Sequence, residues 1–266
     1  INMEENQEYV LLGKGVGFGK KVSQRFDKPE GCTTYRLEQE TERGSAKELV
    51  KGIEPEYLEI ADAILTESQK VFGDSIDRGI LFPLADHISF AVARIRRNEQ
   101  ISNPLTEDIK VLFYSEFKVA ETLKTILRER LQIEIDDHEV GYVALHIHSA
   151  IGDEKVSVAM QTARAVRECI DMIEKATGKP IDVLSLSYNR LMNHMKYMVA
   201  RASTGEKLNL DMNEYMLDQY PQAYKVATDI CKNLEGCIGH KLDETETGYL
   251  AMHIERVAND EREIEE

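Results

Sequence analysis

Histidine is the side chain whose placement in this sequence suggests chemistry. Four of the seven histidines form two matched pairs, because His87 and His146 recur 107 residues later as His194 and His253. An imidazole can transfer protons, ligate a metal, or attack a phosphoryl group as a nucleophile. It can also be a packing residue at the border of an apolar helix face. Retention of both positions in two copies favours neither function nor packing by itself.

The pairing reflects an internal duplication. A motif E-x-G-Y-x-A-x-H-I spans Glu139–Ile147 and recurs as Glu246–Ile254, while segments 87–94 and 117–120 recur at 194–201 and 224–227. Three blocks in one ungapped register indicate two copies of one domain. We place the copies at residues 44–156 and 157–266, which leaves a separate unit over residues 1–43.

The elements that must position the histidines are helical. Leu84, Ile88, Val92 and Ile95 recur at the spacing of an amphipathic helix, so each copy is predicted to be an all-α bundle. The front unit differs, since a strand-like segment at 8–12 runs into the glycine-rich segment 13–19, and a second strand candidate follows at 33–35. The fold class predicted is therefore mainly α, with two tandem homologous bundles after a small antiparallel β unit.

Charge separates the front unit from the rest. The chain carries a net charge of -15, which argues against a surface that binds nucleic acid throughout. Residues 10–25 nevertheless contain Lys14, Lys20, Lys21 and Arg25 and no acidic residue, which indicates a local basic patch. No apolar run is long enough to cross a bilayer, and the N-terminus lacks a signal-peptide pattern, so a cytoplasmic protein without membrane insertion is expected.

A metal site is the main competing interpretation of the histidines. His146 and His148 form an H-x-H pair, but on a helix their side chains would point about 200° apart, and the second copy has Glu255 in place of His148. The four cysteines lack a zinc spacing, and no phosphate-binding loop or nucleophile motif is present. We therefore expect no metal, no cofactor and no enzymatic activity, and keep a histidine-ligated metal hydrolase as an alternative.

The remaining chemistry is phosphoryl acceptance. A phosphoryl group on an imidazole adds nearly two negative charges, which can break a packed contact or attract a basic residue. Arg94 and Arg201 follow His87 and His194 by about two helical turns and lie on nearly the same face. They are either partners of the phosphoryl group or solvated helix charges.

The motifs together resemble the BglG/SacY family of bacterial transcriptional antiterminators over essentially the whole chain. They are, in chain order, the segment 12–21, Asp86-His87-Ile88, the segment 144–147, His194, and the segment 251–256. The resemblance implies an RNA-binding domain followed by two regulation domains of the sugar phosphotransferase system. Such proteins bind a hairpin in nascent mRNA and prevent a terminator from forming in front of sugar-uptake genes.

The resemblance also implies roles for individual residues. His87, His146, His194 and His253 match the family's phosphoacceptors, and Gly13, Lys14 and Phe18 match its RNA contacts, with Lys20 and Lys21 beside them. The implied partners are the mRNA hairpin, the phosphocarrier protein, a sugar-specific enzyme II and a second copy in a homodimer. Because the chain begins at Ile1, after the family's usual first residues, we expect a truncated β unit.

A second regulatory class fits the same modules. A DNA-binding transcriptional activator can carry phosphate-responsive domains of this kind, and it would need a helix-turn-helix ahead of them. The glycine-rich β segment at the front favours the RNA-binding alternative.

Overall fold

The computed structural model describes residues 9–13, 15–21, 24, 26–36, 40–41, 44–45, 52–99, 101–152, 155–182 and 185–259. Four short strands come first: β1 (Tyr9–Leu12), β2 (Thr33–Arg36), β3 (Glu40–Thr41) and β4 (Gly44–Ser45). The helices that follow are α1 (Pro55–Phe72), α2 (Leu81–Arg96), α3 (Thr106–Leu112), α4 (Tyr114–Ala120), α5 (Thr122–Leu131), α6 (Asp137–Gly152), α7 (Val156–Thr177), α8 (Leu186–Thr204), α9 (Asn213–Gln219), α10 (Pro221–Ile238) and α11 (Glu246–Ala258). The mainly helical fold predicted from the sequence is confirmed.

The front segment forms an antiparallel hairpin. β1 pairs with β2 in a register that joins Tyr9 to Arg36 and Leu12 to Thr33, and β3 pairs separately with β4. The glycine-rich segment lies between β1 and β2 and folds as consecutive tight turns, in which the amide of Phe18 donates to the carbonyl of Gly15 at 3.0 Å. The predicted strands are therefore present, and the glycine-rich segment caps the end of the hairpin.

A buried tyrosine anchors the hairpin to the first helical unit. The Tyr35 hydroxyl on β2 donates to the Asp62 carboxylate on α1, and Arg78 donates to both of them at 2.8 Å and 2.7 Å. The Tyr35 ring also packs edge-on against Phe82 at 6.2 Å. Burial and the adjacent Asp62 raise the pKa of Tyr35, so the hydroxyl stays protonated and remains a donor.

The chain divides into two compact units. The first comprises Ile1–Asn103 and Ser115–Glu154, and its helical core joins the apolar faces of α1 and α2 to α5 and α6. The start of α6 is capped by Asp136, whose carboxylate accepts the amides of His138 at 3.0 Å and Glu139 at 3.2 Å. This carboxylate satisfies two of the free amides in the first turn of α6 and lies at the positive end of its dipole.

The second unit comprises Pro104–Tyr114 and Lys155–Glu266. In it α10 packs against α7 and α11, and α11 packs against α8. Helix α8 begins at the N-cap Ser185 and ends at Gly205, whose φ of 73° lies in the left-handed region. Helix α3 contributes buried Ile109 and Leu112 and packs on α7 and α8, where the Tyr188 hydroxyl donates to Asp108 at 3.3 Å.

A glycine lets α9 approach α11. A Cβ at Gly248 would lie 2.7 Å from the carbonyl carbon of Met212 and 2.8 Å from the amide nitrogen of Asn213, at the start of α9. Both neighbours are backbone atoms, so neither can move aside without shifting a helix. This contact explains the glycine of the repeated E-x-G-Y motif in the second copy.

Replacing Gly248 with alanine is expected to lower the free energy of unfolding by about 1–3 kcal/mol, the usual cost of overpacking. Urea denaturation of the full chain measures it. Gly236 on α10 has no atom within 4 Å of a built Cβ, so Gly236→Ala is the matched control and should stabilise the helix by about 0.5–1 kcal/mol. Equal stabilities for the two variants would contradict the close approach.

No helix in the described part of the chain is long and apolar enough to span a membrane.

Candidate functional site

In the second unit, the two paired histidines lie ring to ring. His194 on α8 stacks against His253 on α11, with ring centroids 4.8 Å apart and an interplanar angle of 29°. The Nε2 atom of His194 lies 3.6 Å from Oε2 of Glu246. Arg201 donates two hydrogen bonds to the same carboxylate, from Nε to Oε1 at 2.6 Å and from Nη2 to Oε2 at 2.9 Å.

The first unit repeats this cluster. His87 on α2 and His146 on α6 have ring centroids 5.3 Å apart at an angle of 46°. Nε2 of His87 lies 3.5 Å from Oε2 of Glu139, and Arg94 Nη2 donates to Oε1 at 2.8 Å. The hold on the carboxylate is weaker here, since Arg94 makes one hydrogen bond where Arg201 makes two, and its side chain is 24% exposed against 14%.

Each cluster consists of two histidines, a glutamate and an arginine, and two helices contribute two of these side chains each. A histidine and an arginine seven residues apart share one face of α2 or α8, and a glutamate and a histidine seven residues apart share one face of α6 or α11. Packing these faces together brings four side chains into contact. The arginines thus have a defined partner in the unphosphorylated chain, a buried carboxylate, which neither of the two sequence-based interpretations named.

The glutamates were missed by sequence reasoning. Glu139 and Glu246 open the repeated E-x-G-Y-x-A-x-H-I motif, two turns before the second histidine, but their position at a helix start is equally typical of a dipole-stabilising acid. Their burial distinguishes them, since Glu246 is 1% exposed and Glu139 is 3% exposed. The sequence did hold one signal for these partners. In both copies a glutamate is retained seven residues before the second histidine, on the same helix face.

Burial keeps the second pair of histidines uncharged. It lowers the pKa of His194 to about 3, with further contributions from His253 and Arg201, and it lowers the pKa of His253 to about 4. In the first unit, burial alone would raise the pKa of Glu139, but His87 and Arg94 outweigh it and hold that pKa below its usual value. A neutral imidazole beside an ionised carboxylate retains a lone pair and can act as a nucleophile.

His146 and His148 contact different neighbours. The ring of His146 lies against His87, whereas Nδ1 of His148 lies 2.9 Å from Oε1 of Glu116. Among the described residues, no group of three or more histidine, cysteine, aspartate or glutamate side chains has an arrangement that could hold a metal ion. The side chains of the H-x-H pair therefore do not point to a common site.

The glycine-rich turn presents an aromatic ring and cations to solvent. Phe18 is 89% exposed, and Lys20 and Lys21 are exposed beside it. Lys20 Nζ lies 4.9 Å from the ring centroid of Phe26. An exposed ring can stack on an unpaired base, while nearby ammonium groups meet phosphates.

Gly13 belongs to the base of this turn. A Cβ there would lie 3.2 Å from Cα of Cys32, so the absence of a side chain lets the two hairpin arms approach. Lys14, which the sequence also assigns to RNA contact, lies outside the described residues. The structure thus brings Phe18, Lys20 and Lys21 to one exposed turn, with Gly13 shaping its base.

Comparison with known families matches both parts of the chain. The sequence-family model described as PRD domain matches residues 62–150 and 167–257, which include all four paired histidines. The model described as CAT RNA binding domain matches residues 1–44, which include the glycine-rich turn. Together the two models match well over half of the chain.

Full-length relatives agree with the domain matches. The "GlcA/glcB genes antiterminator" of Staphylococcus carnosus is 30% identical over 262 residues, covering 96% of this chain and 90% of that protein. "Protein GlcT" of Staphylococcus haemolyticus is 28% identical over 257 residues, with 96% and 90% covered. "Transcription antiterminator LicT" of Bacillus subtilis is 26% identical over 258 residues, with 96% and 93% covered.

Proposed function

The chain belongs to the BglG/SacY family of transcription antiterminators, which join a CAT RNA-binding domain to PRD domains, and on this basis we propose that it is an RNA-binding antiterminator controlled by histidine phosphorylation. It binds a hairpin in nascent mRNA and so prevents a terminator from forming ahead of sugar-uptake genes. Residues 1–43 bind the RNA. The two repeats, 44–156 and 157–266, respond to phosphate.

The repeated histidine cluster is the observation that carries this proposal. Each unit places two imidazole rings with their centroids 5.3 Å apart or less and holds one of them against a buried carboxylate and its arginine. Packing alone does not require two polar rings, an acid and a base at the same place in both copies, because an apolar side chain of similar volume avoids their desolvation cost. A histidine that must act as a nucleophile, in contrast, needs polar neighbours that orient its ring.

Phosphorylation supplies the switch. A phosphoryl group on His87, His146, His194 or His253 places nearly two negative charges beside Glu139 or Glu246, which are buried carboxylates. The resulting repulsion reorganises the contacts between α2 and α6, or between α8 and α11. We expect the phosphocarrier protein and a sugar-specific enzyme II to be the donors, and a homodimer to be the RNA-binding form.

A filter-binding assay with the full chain tests the RNA-binding part of the proposal. The hairpin from the chain's own leader RNA should bind more tightly than a scrambled RNA of equal length at the same salt concentration. Placing a charge with His87→Asp should weaken binding of the hairpin relative to the size-reducing control His87→Ala, because charge beside Glu139 disrupts the first unit.

Two results would contradict this proposal. Equal affinity for hairpin and scrambled RNA would remove specific recognition by the glycine-rich turn. Equal affinities of the Asp and Ala variants for the hairpin, together with equal dimerisation by sedimentation, would remove the electrostatic control.

A further inference from the structure

In both units the same ring nitrogen of the first histidine is enclosed. Nε2 of His87 and Nε2 of His194 are buried, and within the described residues neither makes a hydrogen bond of normal geometry. Each nevertheless faces a carboxylate oxygen, at 3.5 Å from Glu139 and 3.6 Å from Glu246. The side chains are 14% and 8% exposed, so the exposed part of each ring does not include Nε2.

This arrangement selects one tautomer. A neutral imidazole carries a hydrogen on one nitrogen and a lone pair on the other. A lone pair on Nε2 would point at an ionised carboxylate and be repelled, whereas an N–H on Nε2 is attracted to it. The carboxylate therefore favours the hydrogen on Nε2 and leaves the lone pair on Nδ1, just as a buried acid fixes the reactive nitrogen of a catalytic histidine in hydrolases.

Each carboxylate is paired with an arginine. An opposite charge within hydrogen-bond distance favours the charged form of a carboxyl group. Arg201 supplies that charge to Glu246 with two hydrogen bonds that also fix the rotamer of the carboxylate, and Arg94 supplies it to Glu139 with one. The orientation of the ring is thus set by an ion pair that is itself rigid.

We infer that Nδ1 is the phosphoacceptor nitrogen of His87 and His194, and that Glu139 and Glu246 are positioning residues that hold the opposite nitrogen protonated. The inference rests on the proposed function, which makes these histidines phosphoacceptors. The Nδ1 lone pair forms the bond to phosphorus while the nitrogen–phosphorus bond of the donor's phosphohistidine breaks, and the donor nitrogen keeps that electron pair. The hydrogen on Nε2 stays in place, and the positive charge that develops on the acceptor ring is balanced by the carboxylate.

The regiochemistry of the phosphohistidine tests this inference without any substitution. The full chain is phosphorylated with the phosphohistidine form of the phosphocarrier protein, digested at alkaline pH, and mapped by mass spectrometry, and ³¹P NMR then distinguishes the Nδ1 from the Nε2 isomer. We expect the Nδ1 isomer at His87 or His194.

The possible failures are distinguishable. Phosphate on Nε2 of His87 or His194, or phosphate confined to His146 and His253, would overturn the inference and leave the proposed function standing. Absence of phosphate from all four histidines with both the phosphocarrier protein and an enzyme II as donors would overturn the proposed function, and the inference with it.

A variant isolates the role of the carboxylate. Glu246→Gln keeps the shape but removes the charge, and it should slow phosphoryl transfer to His194 by about 100-fold, within the range that a positioned acid or base supplies. The product should also become a mixture of the two isomers, which a merely structural defect would not cause. Glu244→Gln, an exposed glutamate two residues earlier, is the matched control and should change neither rate nor isomer. A folded Glu246→Gln variant with the wild-type rate and a single Nδ1 isomer would overturn the role given to Glu246.

Discussion

Replacing Arg201 with methionine is expected to destabilise the second unit by about 3–5 kcal/mol, the usual cost of removing one partner of a buried ion pair. The methionine fills most of the space, so the loss comes from Glu246, which would remain buried without a cation. Urea denaturation at neutral pH measures it.

Three variants bracket this result. Arg164→Met removes an exposed arginine from α7 and should leave stability within about 0.5 kcal/mol of wild type. Arg94→Met should cost less than Arg201→Met, because Arg94 makes one hydrogen bond and is more exposed. The double variant Arg201→Met with Glu246→Gln should recover much of the loss, since no buried charge remains. If the Arg201→Met protein were as stable as the Arg164→Met protein, loss of Arg201 would not leave an uncompensated buried charge on Glu246.

Replacing Phe18 with alanine is expected to weaken binding of the RNA hairpin about 5- to 150-fold, which corresponds to the loss of one base–aromatic stacking contact. The unfolding free energy should not change, because the Phe18 side chain is almost fully exposed. Filter binding and urea denaturation of the same protein preparation separate the two effects.

The control is an exposed aromatic residue outside the turn. Tyr215→Ala on α9 removes a half-exposed ring and should leave RNA affinity unchanged. Lys20→Ala and Lys21→Ala should each reduce the slope of log affinity against log salt by about 1 if that lysine contacts a phosphate. A Phe18→Ala variant with wild-type affinity would remove base stacking from the recognition mechanism.

The helical class of both repeats and the matching of histidines between them could be predicted from the sequence, because both depend on local patterns. The apolar spacing around Ile88 and Val92 marks a helix wherever it packs, and a repeat at fixed register carries equivalent side chains to equivalent places. The structure accordingly brings His87 to His146 and His194 to His253.

The partners of those histidines could not be predicted, because they depend on how two helices rotate about their axes. Arg201 is typical of a solvated helix end, and Glu246 is typical of a helix start, so each has a local explanation that does not involve the other. Only the packing of α8 against α11 joins them. The Tyr35 contact with Asp62 and Arg78 was missed for the same reason, since the sequence around Tyr35 contains no pattern that predicts a partner on α1.

The docking of α3 in the second unit has a consequence for cleavage of the chain. The polypeptide leaves the first unit after Asn103, returns at Ser115 and leaves again after Glu154, so the units are joined by three crossings. Proteolysis at the last crossing alone should yield two fragments that co-elute under native conditions and separate only in denaturant, because Ile109 and Leu112 stay buried against the other fragment. The boundary between the two sequence repeats therefore differs from the boundary between the two compact units, because α3 lies in the first repeat but packs in the second unit.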